Sequence, residues 1–562
     1  MASYSRPIRS ARLKPLVSSL ALAIAMLSGS GQAAHGTFQP RIAAPSTGQL
    51  MLREAIAGGD TRNAGWQPSR LQVGDESTAL IDAWRARRPE QVIPVWDGSR
   101  GGVNRVVTNC NDAGAGSLRA VVAIANDNDT IDLTQLACGT ITLTTGEIVI
   151  EDANIDIVGP GADQMTIDGN ENSAVLVHTG LGTLLIDGVE IRDGLKYADS
   201  GGVAGGCVFS LGSVSLFDSE VNSCTLWTTA GDSSAFGGGV YAQGDVLLSN
   251  SLVSGNTSAN KYSNGIEGAQ GGSPRAYGGG VSALGSVTVI SSLVVNNGTA
   301  STESSSYGGG IHANGGLLAK YSQFSENAAG NGGGLAVRGT NDIVIQRSTI
   351  SGNESSIAGG AYVSVNGAAG AISINNSTVS GNTAETKYGG LMVGGDDSEK
   401  TINATTITGN VSESVDMGAG LQLFAGAIVE MRSTIVSGNQ ALVGATLEPS
   451  DIGSSGSGAL VLGGPFKNNL VLQSDVPLPN STIIGLAKVS SLRDNGGPTP
   501  THALRGNSVA LDNGTSALDD STDQRASGFQ RIIGVSADIG AFEFDLSDLV
   551  FADDYDDEDE NK

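Results

Sequence analysis

Two aspartates carry the residue types and spacing that chemistry would need: Asp168 in Thr-Ile-Asp-Gly-Asn and Asp187 in Leu-Ile-Asp-Gly-Val. Their matching contexts fall nineteen residues apart, which raises the expectation that they stack on neighbouring turns of a repeating structure. Carboxylates stacked about 5 Å apart suit glycoside cleavage or a calcium clamp. Arg192 and Asp193 follow nearby, and Arg192 joins the catalytic candidates. Asp-Gly is also simply a good corner dipeptide. That plainer reading is favoured, so no catalytic or metal-binding residue is assigned, and calcium is the one cofactor kept open.

A second acidic set lies near the C-terminus: Asp512, Asp523, Arg525, Asp538 and Glu543. It suits a cation site, with Asp538 as its metal candidate, or an ion-pair network that closes the end of the fold. Closure is the more economical reading, because an exposed terminal strand invites edge-to-edge aggregation. The four histidines, His35, His178, His312 and His502, are scattered and share no repeated partner. His312 is expected to face solvent on a strand, and structural roles are expected for it and for His502.

The elements that must position these groups come from a repeat. Glycine blocks precede Val240, Val281, Ile311, Leu335, Ala361, Leu391 and Leu421, at spacings of 24 to 41 residues. Each is followed by Ser/Thr-x-hydrophobic-x-x-Asn, closing on Asn256, Asn297, Asn327, Asn353, Asn382, Asn410 and Asn439, and Asn469 extends the series by another 30. Two markers with nearly the same period define one structural unit. Between them, residues such as Ile343 to Ile350 alternate and are rich in Val, Ile, Ser and Thr, the period-two signature of strands. A unit this short, with no crossover helix, closes by pairing its strands in parallel with the units above and below. The fold class is therefore all-β, a parallel β-helix of ten or eleven coils from about Thr140 to Asn469.

The marker residues acquire physical roles in that fold. Asparagines at the same turn of successive coils can stack as a hydrogen-bonded ladder, while glycine and asparagine tolerate the positive φ of tight corners. An aromatic content of 4% fits a thin solenoid core. A flexible low-complexity chain is the alternative for 81 glycines, but disorder has no reason to phase hydrophobic residues against two markers. Insertions at Thr225–Phe236, Ser258–Tyr277 and Thr299–Tyr307 lie between an Asn marker and the next glycine block. Loops stacked on one edge of a solenoid commonly form its binding face.

Arg6, Arg9, Arg12 and Lys14 precede an apolar run from Leu16 to Leu27 and then small residues, the pattern of a secretory signal peptide over 1–34. The run is too short to span a bilayer, and no transmembrane segment is expected elsewhere. Residues 35–105 read as a linker or loosely structured arm with one short helix over 77–88, acidic at its start and basic at its end. The β-helix is assigned to 106–480, a cap to 481–544 and an acidic, solvated tail to 545–562. Four cysteines in an exported chain favour two disulfides, and the preferred pairs are Cys110 with Cys138 and Cys207 with Cys224. Cys224 holds the Asn-marker position of its repeat. A net charge of −26 argues against nucleic acid and anionic membrane surfaces as partners.

Three stretches together carry a resemblance. Val107 to Arg119, with Asn128-Asp-Thr-Ile131 and Ile157-Val-Gly-Pro-Gly-Ala162, resembles the entry of secreted bacterial right-handed β-helix proteins of the pectin-lyase-like superfamily. Glycine blocks with Phe324-Ser-Glu-Asn327 and Phe466–Asn469 resemble polymorphic outer-membrane protein repeats. Leu492-Arg-Asp-Asn-Gly-Gly-Pro-Thr-Pro-Thr-His-Ala-Leu504, then Ala510-Leu-Asp512, Thr522 to Arg525 and Asp538 to Glu543, is similar to the choice-of-anchor Q domain. The resemblance implies a right-handed solenoid, exported to the extracellular space or the bacterial surface. It also brings carbohydrate-active enzymes into view, yet the basic residue beside bound calcium of a lyase and the Gly-His-Gly segment of a β-helical hydrolase do not stand out. The leading expectation is a monomeric, non-catalytic protein that binds a glycan or cell-surface protein through its loop-bearing edge. The rival is a calcium-dependent polysaccharide lyase or glycoside hydrolase using Asp168 and Asp187.

Overall fold

The computed structural model describes residues 75–87, 101–229, 233–260, 275–301, 306–367, 369–395, 398–413, 418–463, 468–515 and 520–545. The segment read as a signal peptide, most of the N-terminal arm and the acidic stretch after Asp545 lie outside the described residues.

Alternating short apolar segments pile up as a parallel β-helix. One coil runs through Thr183–Asp187, Glu190–Arg192, Leu195–Ala198 and Val208–Ser210, which join sheets A, B, D and C in turn. Sheet C contains eleven strands, in agreement with the ten or eleven coils expected. Successive strands pair in register, as Val214 with Val246 and Val246 with Val287 in sheet A. Because side chains alternate across a strand, Val214, Val246, Val287 and their counterparts on the other sheets enter a single fully buried column. A short helix, Leu118–Val122, closes the first coil by contributing Leu118, Val121 and Val122 to that column, with Ser117 as its N-cap.

Corners set the period. Between sheets B and D, the Nδ2 of each asparagine from Asn256 to Asn410 donates to the Oδ1 of the next, at 2.8–3.0 Å. That same oxygen accepts the backbone N–H of the preceding asparagine, and the second Nδ2 hydrogen reaches a carbonyl one coil back, such as Val253 O for Asn297 at 2.9 Å. Each buried amide is thus fully used. The ladder begins at Cys224, whose N–H donates to Asn256 Oδ1 at 3.0 Å. It ends on Asp451, whose Oδ1 accepts Asn439 Nδ2 at 2.8 Å and Asn439 N at 2.9 Å.

Asn469 is therefore not the next rung. An antiparallel hairpin, Gln440–Val443 with Thr446–Pro449, interrupts the count after Asn439 and brings Asp451 beneath it. Asn469 lands one corner earlier, between sheets A and B, where its Oδ1 accepts Thr434 N at 3.0 Å. That corner has its own column: the hydroxyls of Ser219, Ser251, Ser292, Ser322, Ser348 and Ser377 each accept an N–H from the coil before. These are the Ser of the repeat motif, whose role the sequence left unread. At the D–C corner the glycine blocks permit backbone contact: a Cβ on Gly279 would lie 2.4 Å from Gly298 O and 2.5 Å from Gly309 O.

Both expected disulfides are formed, Cys110–Cys138 and Cys207–Cys224. The second joins the D–C corner to the Asn corner of one coil, replacing a rung with a covalent bond.

The two flanking segments leave the solenoid and cover its side. Helix α1, Asp75–Arg87, occupies nearly the stretch expected for a helix in the arm and packs on sheet B through Ile81 and Trp84. The C-terminal segment packs along the outer face of sheet B, where Ala487, Leu504, Ile539 and Phe542 meet Ile435 and Leu470. Gly540 N donates to Ser433 O at 2.8 Å, Thr378 Oγ1 to Gln524 Oε1 at 2.7 Å, and Thr349 Oγ1 to Pro500 O at 2.7 Å. Arg347 anchors its far end through Asp520 at 3.1 Å.

Asn353→Ala strips the acceptor from two donors of Asn327 in a buried corner. The expected loss is about 1–3 kcal/mol, read as a lowered denaturation midpoint with unchanged β-sheet circular dichroism; an unmoved midpoint contradicts the ladder.

Candidate functional site

The two aspartates that opened the search are not brought together. Asp168 ends a strand of sheet B and pairs in register with Arg192, while Asp187 ends a strand of sheet A between Val158 and Phe217. Coils here are 24 to 30 residues long, so a nineteen-residue step reaches a different face rather than the next coil.

Around Asp168 the outer face of sheet B is polar. Arg192 Nε donates to Asp168 Oδ2 at 3.1 Å, and Asn170 N donates to the other oxygen at 2.7 Å. Glu190 accepts from Thr166 Oγ1 at 2.6 Å and from Asn222 Nδ2 at 2.8 Å. The Arg192 guanidinium, with Asp193 at 3.5 Å and Glu190 at 3.8 Å, supplies the positive charge that these carboxylates would otherwise seek from an ion. Asp187 sits half-buried at the A–B corner. Burial, and then the neighbouring Asp218 carboxylate, push it up to about 6.

Apart from the exposed Asp512, the C-terminal acidic set is interior scaffolding. Asp523 and Arg525 are almost fully buried and bonded at 2.9 Å, and the guanidinium lies 3.7 Å from the Phe542 ring centroid and 4.1 Å from that of Phe529. Both oxygens of Asp538 accept backbone N–H groups, from Asp512 at 2.7 Å and Phe544 at 2.8 Å. Glu543 does the same for Ile533 and Asp538, and burial first of all raises it to about 7. No group of three or more His, Cys, Asp or Glu side chains is placed to hold a metal ion among the described residues.

His312 is not at the surface. It lies on the outward side of sheet C, but Tyr277 covers it at 4.6 Å between ring centroids, and its Nδ1 is 3.2 Å from Ser282 Oγ. Burial, then the nearby Arg338 cation, hold it down to about 3. His178 and His502 are likewise buried and hydrogen-bonded, to Ser210 at 2.8 Å and Ser380 at 2.7 Å.

Among the described residues, the edge that carries the insertions is built of paired strands. The described ends of each insertion form an outgoing and a returning strand. Thr225–Thr228, Thr257–Asn260 and Gly298–Ser301 stack outward, and Ser234–Phe236, Arg275–Tyr277 and Ser306–Tyr307 stack back. The two layers enclose Leu226, Ala235 and Ala276, making a thin flange along sheet D.

The returning strands end in aromatics at coil spacing. Phe236 and Tyr277 are stacked at 5.0 Å, and Tyr277 and Tyr307 at 5.5 Å. This half-buried row abuts the outward column of sheet C, where Phe209 stacks on Tyr241 at 5.5 Å. Cations stand among the rings: Lys196 lies 5.2 Å from the Phe209 centroid, Arg275 donates to Tyr277 Oη at 3.2 Å, and Arg338 lies 5.5 Å from Tyr362. On the other face of the outgoing layer, Tyr197, 48% exposed, packs 4.0 Å from Trp227. Sequence reasoning chose this edge by its insertions but did not see the row, because its members are 30 to 41 residues apart and only the register aligns them.

No family model matches the chain, and no curated protein matches it. Among solved structures, a pectate lyase is similar over 80% of this chain and 98% of its own, at 13% identity and a TM-score of 0.36. An alginate lyase of family PL6 is similar over 71% of this chain, at 13% identity and a TM-score of 0.27. The match spans about half, 55%, of the alginate lyase.

With Asp187 raised to about 6, the native protein keeps a proton there that the unfolded chain has already lost. Stability therefore falls as pH rises from the ordinary carboxylate range through 6. Buried Glu543 acts in the same direction, so the test is a difference: Asp187→Asn should flatten part of the wild-type decline in urea midpoint between pH 4 and 6.5. Identical slopes would show that Asp187 titrates normally.

Proposed function

We propose that this protein is an exported, non-catalytic β-helical binding protein that holds an extended glycan along its flange. The observation that carries the reading is the row Phe236, Tyr277 and Tyr307, partly exposed and stacked at the coil repeat beside Arg275. Aromatic faces offer large apolar area at little entropic cost and pack well against the C–H faces of sugar rings. A row that repeats along an axis suits a polymer that repeats too. In a chain with net charge −26, the cations Lys196, Arg275 and Arg338 are concentrated beside these rings, which favours sugars bearing carboxylate or sulfate over neutral ones. Two disulfides fit an oxidising compartment, and no helix among the described residues is long and apolar enough to cross a membrane.

A glycan array spanning neutral and acidic polysaccharides tests the reading. Binding should concentrate on acidic glycans and drop at least tenfold in Tyr277→Ala, with the melting midpoint within a few degrees of wild type. No bound glycan, or binding indifferent to Tyr277 and Arg275, contradicts it.

Asp187 supports a second reading, a carbohydrate-active enzyme, because a half-buried carboxyl raised to about 6 beside Asp218 has the character of a general acid. The calcium dependence expected of such an enzyme belongs to this reading alone. Screening polysaccharides with and without calcium, by reducing-end and unsaturated-uronate assays, separates the two. Turnover abolished in Asp187→Asn would replace the binding role with catalysis.

A further inference from the structure

The outer face of sheet B is polar along most of its length. It shows Thr166 and Asp168 in the early coils and Thr349 and Thr378 in the later ones, with two apolar interruptions: Ile435 and Leu470, which the C-terminal segment covers, and Leu252, Leu293 and Val295. Their strand neighbours Val253 and Val294 point into the core, so these three side chains project away from it. Apolar outward residues on an otherwise hydrophilic sheet mark a contact surface. Helix α1 is what covers them: Ile81 and Trp84, one turn apart on its buried face, pack against all three, and Trp84 Nε1 donates to Ser291 O at 3.3 Å.

Acidic groups flank the island and meet polar groups of the helix. Ser77 Oγ donates to Glu326. Arg85 engages Glu220 through two nitrogens, at 2.7 and 3.3 Å, and Arg87 lies 3.3 Å from Asp494 of the C-terminal segment. Thirteen residues make a helix about 20 Å long. The coils from Glu220 to Glu326 rise roughly 15 Å, so the helix matches the island and its rims. Its attachment is unlike that of every strand: no sheet ladder includes it, and its ties to the solenoid among the described residues run through side chains.

We propose that this face of sheet B is a docking site for a protein segment of α1's chemistry, an amphipathic helix with an Ile-x-x-Trp pair followed by arginines. Helix α1 is its built-in competitor. The apolar island, the acidic rims and an attachment made through side chains alone make the contact autoinhibitory: a partner helix binds when α1 is displaced. The site is on a different face from the flange and does not depend on the glycan reading.

The test uses the full chain and a labelled peptide of residues 75–87. In the double variant Ile81→Ala/Trp84→Ala, the solenoid keeps its melting midpoint, the 75–87 segment becomes protease-sensitive, and the peptide binds at least tenfold more tightly than to wild type. Adding Leu293→Glu to that variant, or Arg85→Glu to the peptide, abolishes the gain. If the segment stays protected in the double variant, or the peptide binds the variant and wild type equally or neither at all, the docking site is refuted.

Discussion

The structure depends on one repeated interaction, the amide ladder at the B–D corner. Each rung has a direction: donors on one coil, an acceptor on the next. Such a column cannot simply stop, because its last amide would bury unsatisfied donors. It starts at Cys224, where a disulfide to Cys207 takes over the clamp, and stops at Asp451, a side chain that only accepts. The second oxygen of Asp451 takes Leu472 N and Gln473 N, so the terminal group closes the column without needing a further partner. Burial raises its pKa while these four N–H groups pull it back, as expected for a desolvated carboxylate held by donors.

Register follows from the ladder, and the flange follows from register. With this corner fixed in each coil from Cys224 to Asp451, extra residues inserted just after it go outward and back, and the pairs of described strands stack into the flange. Phe236, Tyr277 and Tyr307 come from returning strands whose lengths away from the solenoid differ, yet their rings align because the strands re-enter at the same glycine corner. The serine column does the same service at the A–B corner. Between the two columns lies sheet B, and both flanking segments of the chain use it as a bed.

The repeat made the fold legible because glycine and asparagine were each demanded by local backbone geometry. Both cysteine pairs and the helix in the N-terminal arm could be read for similarly local reasons. What escaped was governed by count or by distance. Asp168 and Asp187 share a local sequence, but their separation is not a coil, so equal contexts met unequal faces. Asn469 keeps the period of the asparagines while the Gln440–Pro449 hairpin has already changed what the period means. The contacts of Ile81 and Trp84 with Leu293, or of Arg347 with Asp520, join residues more than 170 positions apart and have no signature in the strands themselves.

Native-state hydrogen exchange on the full-length protein examines the ladder most directly. The backbone amides of Asn256, Asn297, Asn327, Asn353, Asn382 and Asn410 each donate to a side-chain oxygen of the next coil. If the ladder holds the coils in register, these amides exchange together, only through global unfolding, and are the slowest in their coils. Exchange as fast as that of the neighbouring surface turns, or rates scattered from coil to coil, would mean that register is held elsewhere and that the ladder is a passenger.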